Sequence, residues 1–330
     1  MMKRIAINGF GRIGRAALKL IIDTPGLEIV AINDLMSIEN AAYLLKYDSV
    51  YGKYENEIIV DVNFLKIKDK NVIYLSEKDP LKLPWKDHSI DIVIESTGVF
   101  TKREDAEKHI HAGAKTVVIS APTKSKDAPT VVHGVNSLEG KTAIFSCASC
   151  TTNNVATIIE IIERRFGIIK AILNTIHAYT ASQELVDAPS KKKLRMGRAA
   201  ALNLVPASTG AAIATIKALP QLEGKFDGVA VRTPVPVGSI SDITFLTARK
   251  TSAEEINSVL KEESQSDRYK LVLSVSDEPL VSTDIIQSSF AAVVDLEMTR
   301  VVDGDLVKVM AWYDNEWGFT NQMIRQILEI

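Results

Sequence analysis

Over the first third of the chain, short apolar runs alternate with stretches of helical spacing. "RIAIN" (4–8), "EIVAIN" (28–33), "DIVIES" (91–96) and "TVVIS" (116–120) are β-branched runs of the length of buried strands. Between them, "GRAALKLII" (14–22) repeats its apolar residues at helical intervals. "SIENAAYLLKY" offers Ser37 as an N-cap before another helix, and "KREDAEKHIHA" reads as an exposed helix. Strand, helix, strand at this rhythm predicts a parallel sheet with crossover helices. The second half changes pattern. A helix is predicted from Ser149 to about Phe166, closed by Gly167, and one from Thr251 with its own cap. The runs beginning at 168, 226, 240 and 306 are longer and more alternating, with few helices between them. They predict a mixed, mostly antiparallel sheet. The expected architecture is a Rossmann-type, doubly wound domain over residues 1–149 and a second, mixed-sheet domain over 150–315.

Composition narrows the class. A chain of 330 residues is long enough for two cores, and 46% hydrophobic with 24% charged residues is ordinary for a globular protein. A net charge of −2 gives no electrostatic reason to expect a nucleic-acid or acidic-membrane partner. Two cysteines argue against a secreted disulfide scaffold. The start "MMKRIAINGFGR" lacks a signal peptide's apolar segment, and no run has the length of a membrane span. A cytoplasmic location is expected.

Both cysteines lie in "SCASCTTNN". A zinc clip lacks a second C-x-x-C or a His pair nearby, and a thioredoxin-type pair is in the wrong context. Cys147 ends a strand and reads as a small buried hydrophobe. Cys150 falls at a helix start rich in capping hydroxyls, where the helix N-terminus favours a thiolate. With an imidazolium beside it, its pKa is expected to drop into the range of about 3.5–7.5. Of the five histidines, four have polar or exposed-looking surroundings, while His177 ends an apolar strand. That position suits a site, although a packed histidine is the commoner outcome.

"GFGRIG" places Gly9, Gly11 and Gly14 in a G-x-G-x-x-G pattern after a strand and into a helix. Alone the pattern is weak. Asp34 strengthens it, since it follows the second strand, twenty residues past Gly14. That is where a carboxylate accepts the hydroxyls of an adenosine ribose.

"NGFGRIGR", "IND", "KYDSVYGKY", "ESTGVFTKREDAEKHI", "GAKTVVISAP", "SCTTNN", "HAYT", "LVPASTGAA" and "WYDNEWG" occur in order along nearly the whole chain. Together they strongly resemble the phosphorylating glyceraldehyde-3-phosphate dehydrogenases. The resemblance implies NAD-dependent conversion of glyceraldehyde 3-phosphate and inorganic phosphate to 1,3-bisphosphoglycerate through a cysteine thioester. Cys150 matches the nucleophile and His177 the general base. Arg12, Ile13, Lys78, Thr97, Ser120 and Asn315 match cofactor contacts, beside Gly9, Gly11, Gly14 and Asp34. Thr180 and Arg232 match a substrate-phosphate site; Ser149, Thr151, Thr209 and Gly210 match an inorganic-phosphate site. No metal is implied. A homotetramer is, and so is a last helix, 316–330, returning to the nucleotide domain.

The chain also departs from the family pattern. Cys147 stands where Asn is usual. Met196 replaces an arginine of many bacterial members, with Arg195 and Arg198 nearby in a basic loop. The small Ala188 leaves room near the ribose and Lys191 to Lys193 could reach across from a neighbouring subunit, which allows some NADP use, but Asp34 favours NAD. "NEWGFTNQM" leans toward erythrose-4-phosphate dehydrogenase, the alternative activity, whereas Thr180 and the Thr209–Gly210 pair lean toward the triose enzyme. A semialdehyde dehydrogenase lacks this ordered motif set. A non-catalytic redox sensor or RNA-binding protein fits poorly with an intact Cys150–His177 pair.

Overall fold

The computed structural model describes residues 2–138, 140, 142–190 and 193–330. Lys191 and Lys192 lie outside the described residues. The chain forms two compact units: Met1–Val131 with Leu138–Ala148 and Met323–Ile330, and Val132–Ser137 with Ser149–Gln322.

The first unit is built on an eight-stranded sheet. Its order is Ile144–Ser146, Thr116–Ile119, Ile92–Glu95, Lys3–Asn8, Leu27–Asn33, Lys70–Leu75, Phe64–Ile67 and Ile58–Asp61. The first six are parallel, the two at the far edge antiparallel. The order reverses beside Lys3–Asn8, the position where doubly wound sheets open a crevice at their carboxyl ends. Central strands are buried on both faces, which is why they read as continuous apolar runs. Helices α1 (Arg12–Ile21), α2 (Ile38–Lys46) and α3 (Arg103–His111) belong to this unit. The Ser37 side chain caps α2 by accepting from Asn40 N. The antiparallel edge was not expected from sequence. The exposed reading of α3 needs a correction, because Ala106 and His109 are fully buried. A short helix rich in charge hides its single inward stripe.

The second unit carries a seven-stranded sheet in the order Val205–Ser208, Phe226–Thr233, Ile168–Ala178, Ser239–Thr247, Leu306–Tyr313, Ala292–Val302, Leu273–Ser276. Two of its six pairings are parallel and four antiparallel. Helix α4 (Cys150–Phe166) packs on this sheet with Val155, Ile158, Ile159, Ile162 and Phe166 buried. Gly167 closes α4 at φ +70°, where any Cβ would lie 2.9 Å from Ala248 Cβ. Helix α5 (Ala211–Ala218) lies beside α4, and α6 (Ala253–Ser264) is tied to it by Arg164–Glu263 and Arg165–Glu262 ion pairs at 3.0 Å. The strand Ala292–Val302 was not anticipated. Its Asp295, Glu297 and Arg300 interrupt the apolar pattern, and buried Asp295 is occupied by accepting from Trp312 Nε1 at 3.1 Å. The last helix, α7 (Trp317–Glu329), contributes its final residues to the first unit, where Lys3 Nζ donates to Ile327 O at 2.8 Å.

Candidate active site

Ala148 adopts φ +60°, left-handed for a non-glycine residue, and turns the chain into α4. Ser149 then caps the helix, its Oγ accepting from Thr152 N at 3.1 Å, a bond worth about 1 kcal/mol. Cys150 is the first helical residue and is partly exposed, whereas Cys147 is buried. His177 ends the strand Ile168–Ala178, and its Nε2 lies 3.4 Å from Cys150 Sγ. The parallel neighbour strand sets Arg232 beside His177. His177 Nδ1 lies 2.7 Å from Ala178 O and 2.6 Å from Arg232 Nη1, which also donates to that carbonyl at 2.9 Å. The two Nδ1 contacts call for opposite tautomers, since a carbonyl only accepts and a guanidinium only donates. Arg232 Nη1 has Ala178 O as its acceptor, and with the ring proton on Nδ1 the Nε2 lone pair faces the sulfur.

Electrostatics here run against the expected thiolate–imidazolium pair. Burial, then the Arg232 guanidinium, pushes His177 down to about 3, so its ring is a neutral base across the physiological range. Burial pushes the Cys150 thiol up, opposed by Arg232 and by hydrogen bonds from Thr151. The cation beside the cysteine is therefore a guanidinium rather than an imidazolium. Burial alone pushes Cys147 up to about 12. Sequence reasoning missed Tyr313, which knits this site together. Its hydroxyl lies 2.9 Å from Thr151 Oγ1 and 2.8 Å from Thr175 Oγ1, and its ring stands edge-on to His177 at 5.9 Å. The signal was in the quoted "WYDNEWG", as a tyrosine ending an alternating strand.

The anion-binding candidates fall into separate groups. Arg232 lines a cavity of about 520 Å³ that also holds Ser182, Lys193, Met196 and Ser208. Lys193, weighed from sequence only toward NADP, is a second cation of this cavity, and its Nζ donates to Ser208 Oγ. Arg195 instead lines an apolar groove with Pro206 and Val231, and Arg198 is paired with Asp187 at 3.0 Å. Neither of these two arginines lines Arg232's cavity. Thr180 Oγ1 lies 2.9 Å from Ser182 Oγ. Thr209 Oγ1 accepts from Ala211 N at 3.1 Å, and exposed Gly210 is the N-cap of α5. Thr151 is buried, with its hydroxyl already held by Tyr313. Asn315 is buried as well; its Oδ1 accepts from Gly238 N at 3.2 Å and Ser239 Oγ at 3.1 Å, so Nδ2 is the end it can offer.

The first unit holds a cavity of about 820 Å³ lined by Gly9, Gly11, Asp34, Lys78 and Thr97. The three glycines divide their work. A Cβ on Gly9 would lie 2.5 Å from Thr97 N, and on Gly14 2.1 Å from Gly9 O, whereas on Gly11 it would meet nothing within 4 Å. Gly9 and Gly14 thus permit the turn and the close strand–helix approach, and Gly11 leaves an open cradle at the start of α1. Asp34 is held by Phe10 N at 2.6 Å and Met36 N at 2.9 Å. Arg12 pairs with Asp48 at 2.6 Å, and Ile13 follows it in the first turn of α1. Ser120 N and Oγ both donate to Glu95 O at 3.0 Å, which places Ser120 beside the strand end that leads to Thr97. Cavity, cradle and carboxylate fit a dinucleotide. Gly14→Ala is expected to lose folded protein, and Gly11→Ala to fold yet bind NAD at least tenfold more weakly, as read by thermal unfolding and calorimetry. Among the described residues no cluster of His, Cys, Asp and Glu is placed to hold a metal, and no helix is long and apolar enough to cross a membrane.

Comparison with known proteins gives consistent matches. Residues 3–103 match the family model for the NAD binding domain of glyceraldehyde 3-phosphate dehydrogenase, and residues 149–315 that for its C-terminal domain. The chain is 48% identical to a glyceraldehyde-3-phosphate dehydrogenase of Thermotoga maritima, over 98% of this chain and 97% of that one. It is 45% identical to that of Clostridium acetobutylicum, over 99% and 98%. It is 46% identical to a chloroplastic glyceraldehyde-3-phosphate dehydrogenase A of Chlamydomonas reinhardtii, over 97% and 87%. The chain belongs to the glyceraldehyde-3-phosphate dehydrogenase family.

Proposed function

We propose that this protein oxidises glyceraldehyde 3-phosphate with NAD and inorganic phosphate, giving 1,3-bisphosphoglycerate. The observation that carries the reading is Cys150 Sγ at a helix N-terminus, 3.4 Å from His177 Nε2, with Arg232 against the same imidazole. Cys150 Sγ attacks the aldehyde carbon, and His177 relays the thiol proton to the carbonyl oxygen, giving a hemithioacetal. His177 then takes the hydroxyl proton as the carbon loses its hydride and becomes a thioester. When bound, the nicotinamide supplies the hydride acceptor. An oxygen of inorganic phosphate attacks the thioester carbon and expels the Cys150 thiolate, which recovers its proton. The Cys150 backbone N–H at the start of α4 is placed to support the oxyanion. Arg232 and Thr180, with Lys193 in the same cavity as Arg232, bind the ester phosphate; Ser149, Thr151, Thr209 and Gly210 bind the inorganic one. We assign Asn315 to the nicotinamide carboxamide and Gly11, Arg12 and Ile13 to the pyrophosphate, with a homotetramer in the cytoplasm as the working state.

Asp34 sets the cofactor choice. Its carboxylate accepts two ribose hydroxyls and repels a 2′-phosphate, and exposed Leu35 beside it offers that phosphate no hydrogen bond. NAD is expected to have the higher kcat/KM, with some turnover of NADP. Asp34→Gly should narrow the gap by roughly tenfold or more, by weakening NAD and easing NADP. An equal or higher kcat/KM for NADP in the unaltered protein would overturn this assignment.

A further inference from the structure

Beneath the cofactor cavity lies a buried carboxylate that the chemistry above does not use. Sheet register sets Asn8 beside Asn33 on one side and beside Glu95 on the other. Glu95 is 1% exposed. Its Oε2 accepts from Asn8 Nδ2 at 2.6 Å and lies 3.1 Å from His109 Nε2. Its Oε1 accepts from Thr97 N at 2.9 Å and from the Thr97 hydroxyl. Asn8 Oδ1 in turn accepts from Asn33 Nδ2 at 2.7 Å, which fixes the amide's orientation.

His109 decides the charge of this group. Trp85 Nε1 lies 3.0 Å from His109 Nδ1, and an indole N–H can only donate. Nδ1 therefore carries no proton. The ring is neutral, with its hydrogen on Nε2, aimed at Glu95. Every contact to the Glu95 oxygens is then a donor. Of these partners only the Thr97 hydroxyl could accept from a protonated carboxyl; donating to Oε1 as it does here, it leaves the carboxylate as the acceptor of all four hydrogen bonds. The network thus holds one full negative charge that His109 does not cancel. A buried charge without a cation opposes folding, a cost that a neutral amide would avoid.

Glu95 ends the first strand of the second half of the doubly wound sheet, just as Asp34 follows the second strand of the first half. Each half of such a sheet takes one mononucleotide, so Asp34 marks the adenosine half and Glu95 the nicotinamide half. Asn8 and Thr97, which hold Glu95, both line the cavity. We propose that Glu95 is a fixed negative charge under the nicotinamide half of the cleft that favours the oxidised, positively charged cofactor over the neutral reduced one. The inference rests on the NAD reading above. Lysines and carboxylates such as Lys78, Lys82, Lys108, Glu77 and Asp79 also line the cavity. They face solvent, where salt screens them, and they act alike on the phosphates common to both cofactor forms. Glu95 is shielded from salt and differs in its effect only through the nicotinamide charge.

The test is the ratio of the NAD and NADH dissociation constants, measured by calorimetry on the full chain. Unit charges about 10 Å apart at an effective dielectric of about 20 alter a binding constant by roughly tenfold. Glu95→Gln is expected to shift the ratio about 3- to 15-fold against NAD. The double variant Asn8→Asp/Glu95→Gln, which moves the charge one strand over and lets the new amide donate to it, should restore the ratio. In the unaltered protein the ratio should stay constant from low to high salt, a measurement that stands even if the single variant does not fold. A folded Glu95→Gln protein that loses affinity for both forms equally would reduce Glu95 to a positioning residue and overturn the proposal, as would a ratio that collapses with salt. Binding of neither dinucleotide would overturn the cofactor reading itself, and the inference with it.

Discussion

Cys150→Ser should lower aldehyde oxidation by on the order of 10³ or more and remove the fast-alkylating thiol, while Cys147→Ser keeps most activity. A serine hydroxyl is a far weaker nucleophile at neutral pH, and loss of a covalent nucleophile removes the whole thioester route. The structure separates the two cysteines sharply. Cys150 is partly exposed at the start of α4 with an imidazole 3.4 Å from its sulfur. Cys147 is buried, with its thiol pushed up to about 12. A thiol reacts as thiolate, and below its pKa the protonated form dominates, so Cys147 should resist iodoacetamide at all pH values up to about 11. Mass spectrometry of protein alkylated at pH 7 should find the label on Cys150. A dead Cys147→Ser variant, or label on Cys147, would reverse the assignment.

His177→Asn should slow the chemical step by roughly 10²–10⁴, the usual worth of a positioned general base. The Ala178 carbonyl holds the ring at Nδ1 and Tyr313 packs edge-on against it, so Nε2 is the nitrogen left to take a proton. Asparagine fills similar space but cannot accept that proton. The loss should appear in kcat with little change in KM for the sugar phosphate, and because the ring is neutral and Arg232 is the cation beside the sulfur, the pH dependence of Cys150 alkylation should move little. Because His177 is pushed down to about 3, its own protonation should not limit activity until far below neutral pH. A single-turnover rate within a few-fold of the unaltered protein would exclude His177 as the base.

Much of the fold was legible because local and global signals agreed. Strands buried on both faces read as apolar runs, and Ser37, Ser149 and Gly167 marked helix ends that the structure places where the sequence suggested. What stayed hidden depended on long-range contacts. His109 looked solvated in a charged helix, and only its neighbours Trp85 and Glu95, 24 and 14 residues away, show it buried. Asp295 interrupts the apolar pattern of its strand, and its partner Trp312 lies on the adjacent strand, beyond any local reading. The pairing of Cys150 with His177 rested on family resemblance, since no local pattern links residues 27 apart; the distance is a property of the fold. The thiolate–imidazolium expectation came from a helix end and a base considered alone, and Arg232, brought alongside by a parallel strand, changes the charge balance.

The central claim is a phosphate-dependent oxidation through a Cys150 thioester. Its most direct test is NADH formation from glyceraldehyde 3-phosphate and NAD, followed with and without inorganic phosphate. The account predicts a burst of at most one NADH per subunit without phosphate and sustained turnover once phosphate is added, with erythrose 4-phosphate a much poorer substrate. Turnover that does not depend on phosphate, a preference for erythrose 4-phosphate, or no NADH at all would contradict it.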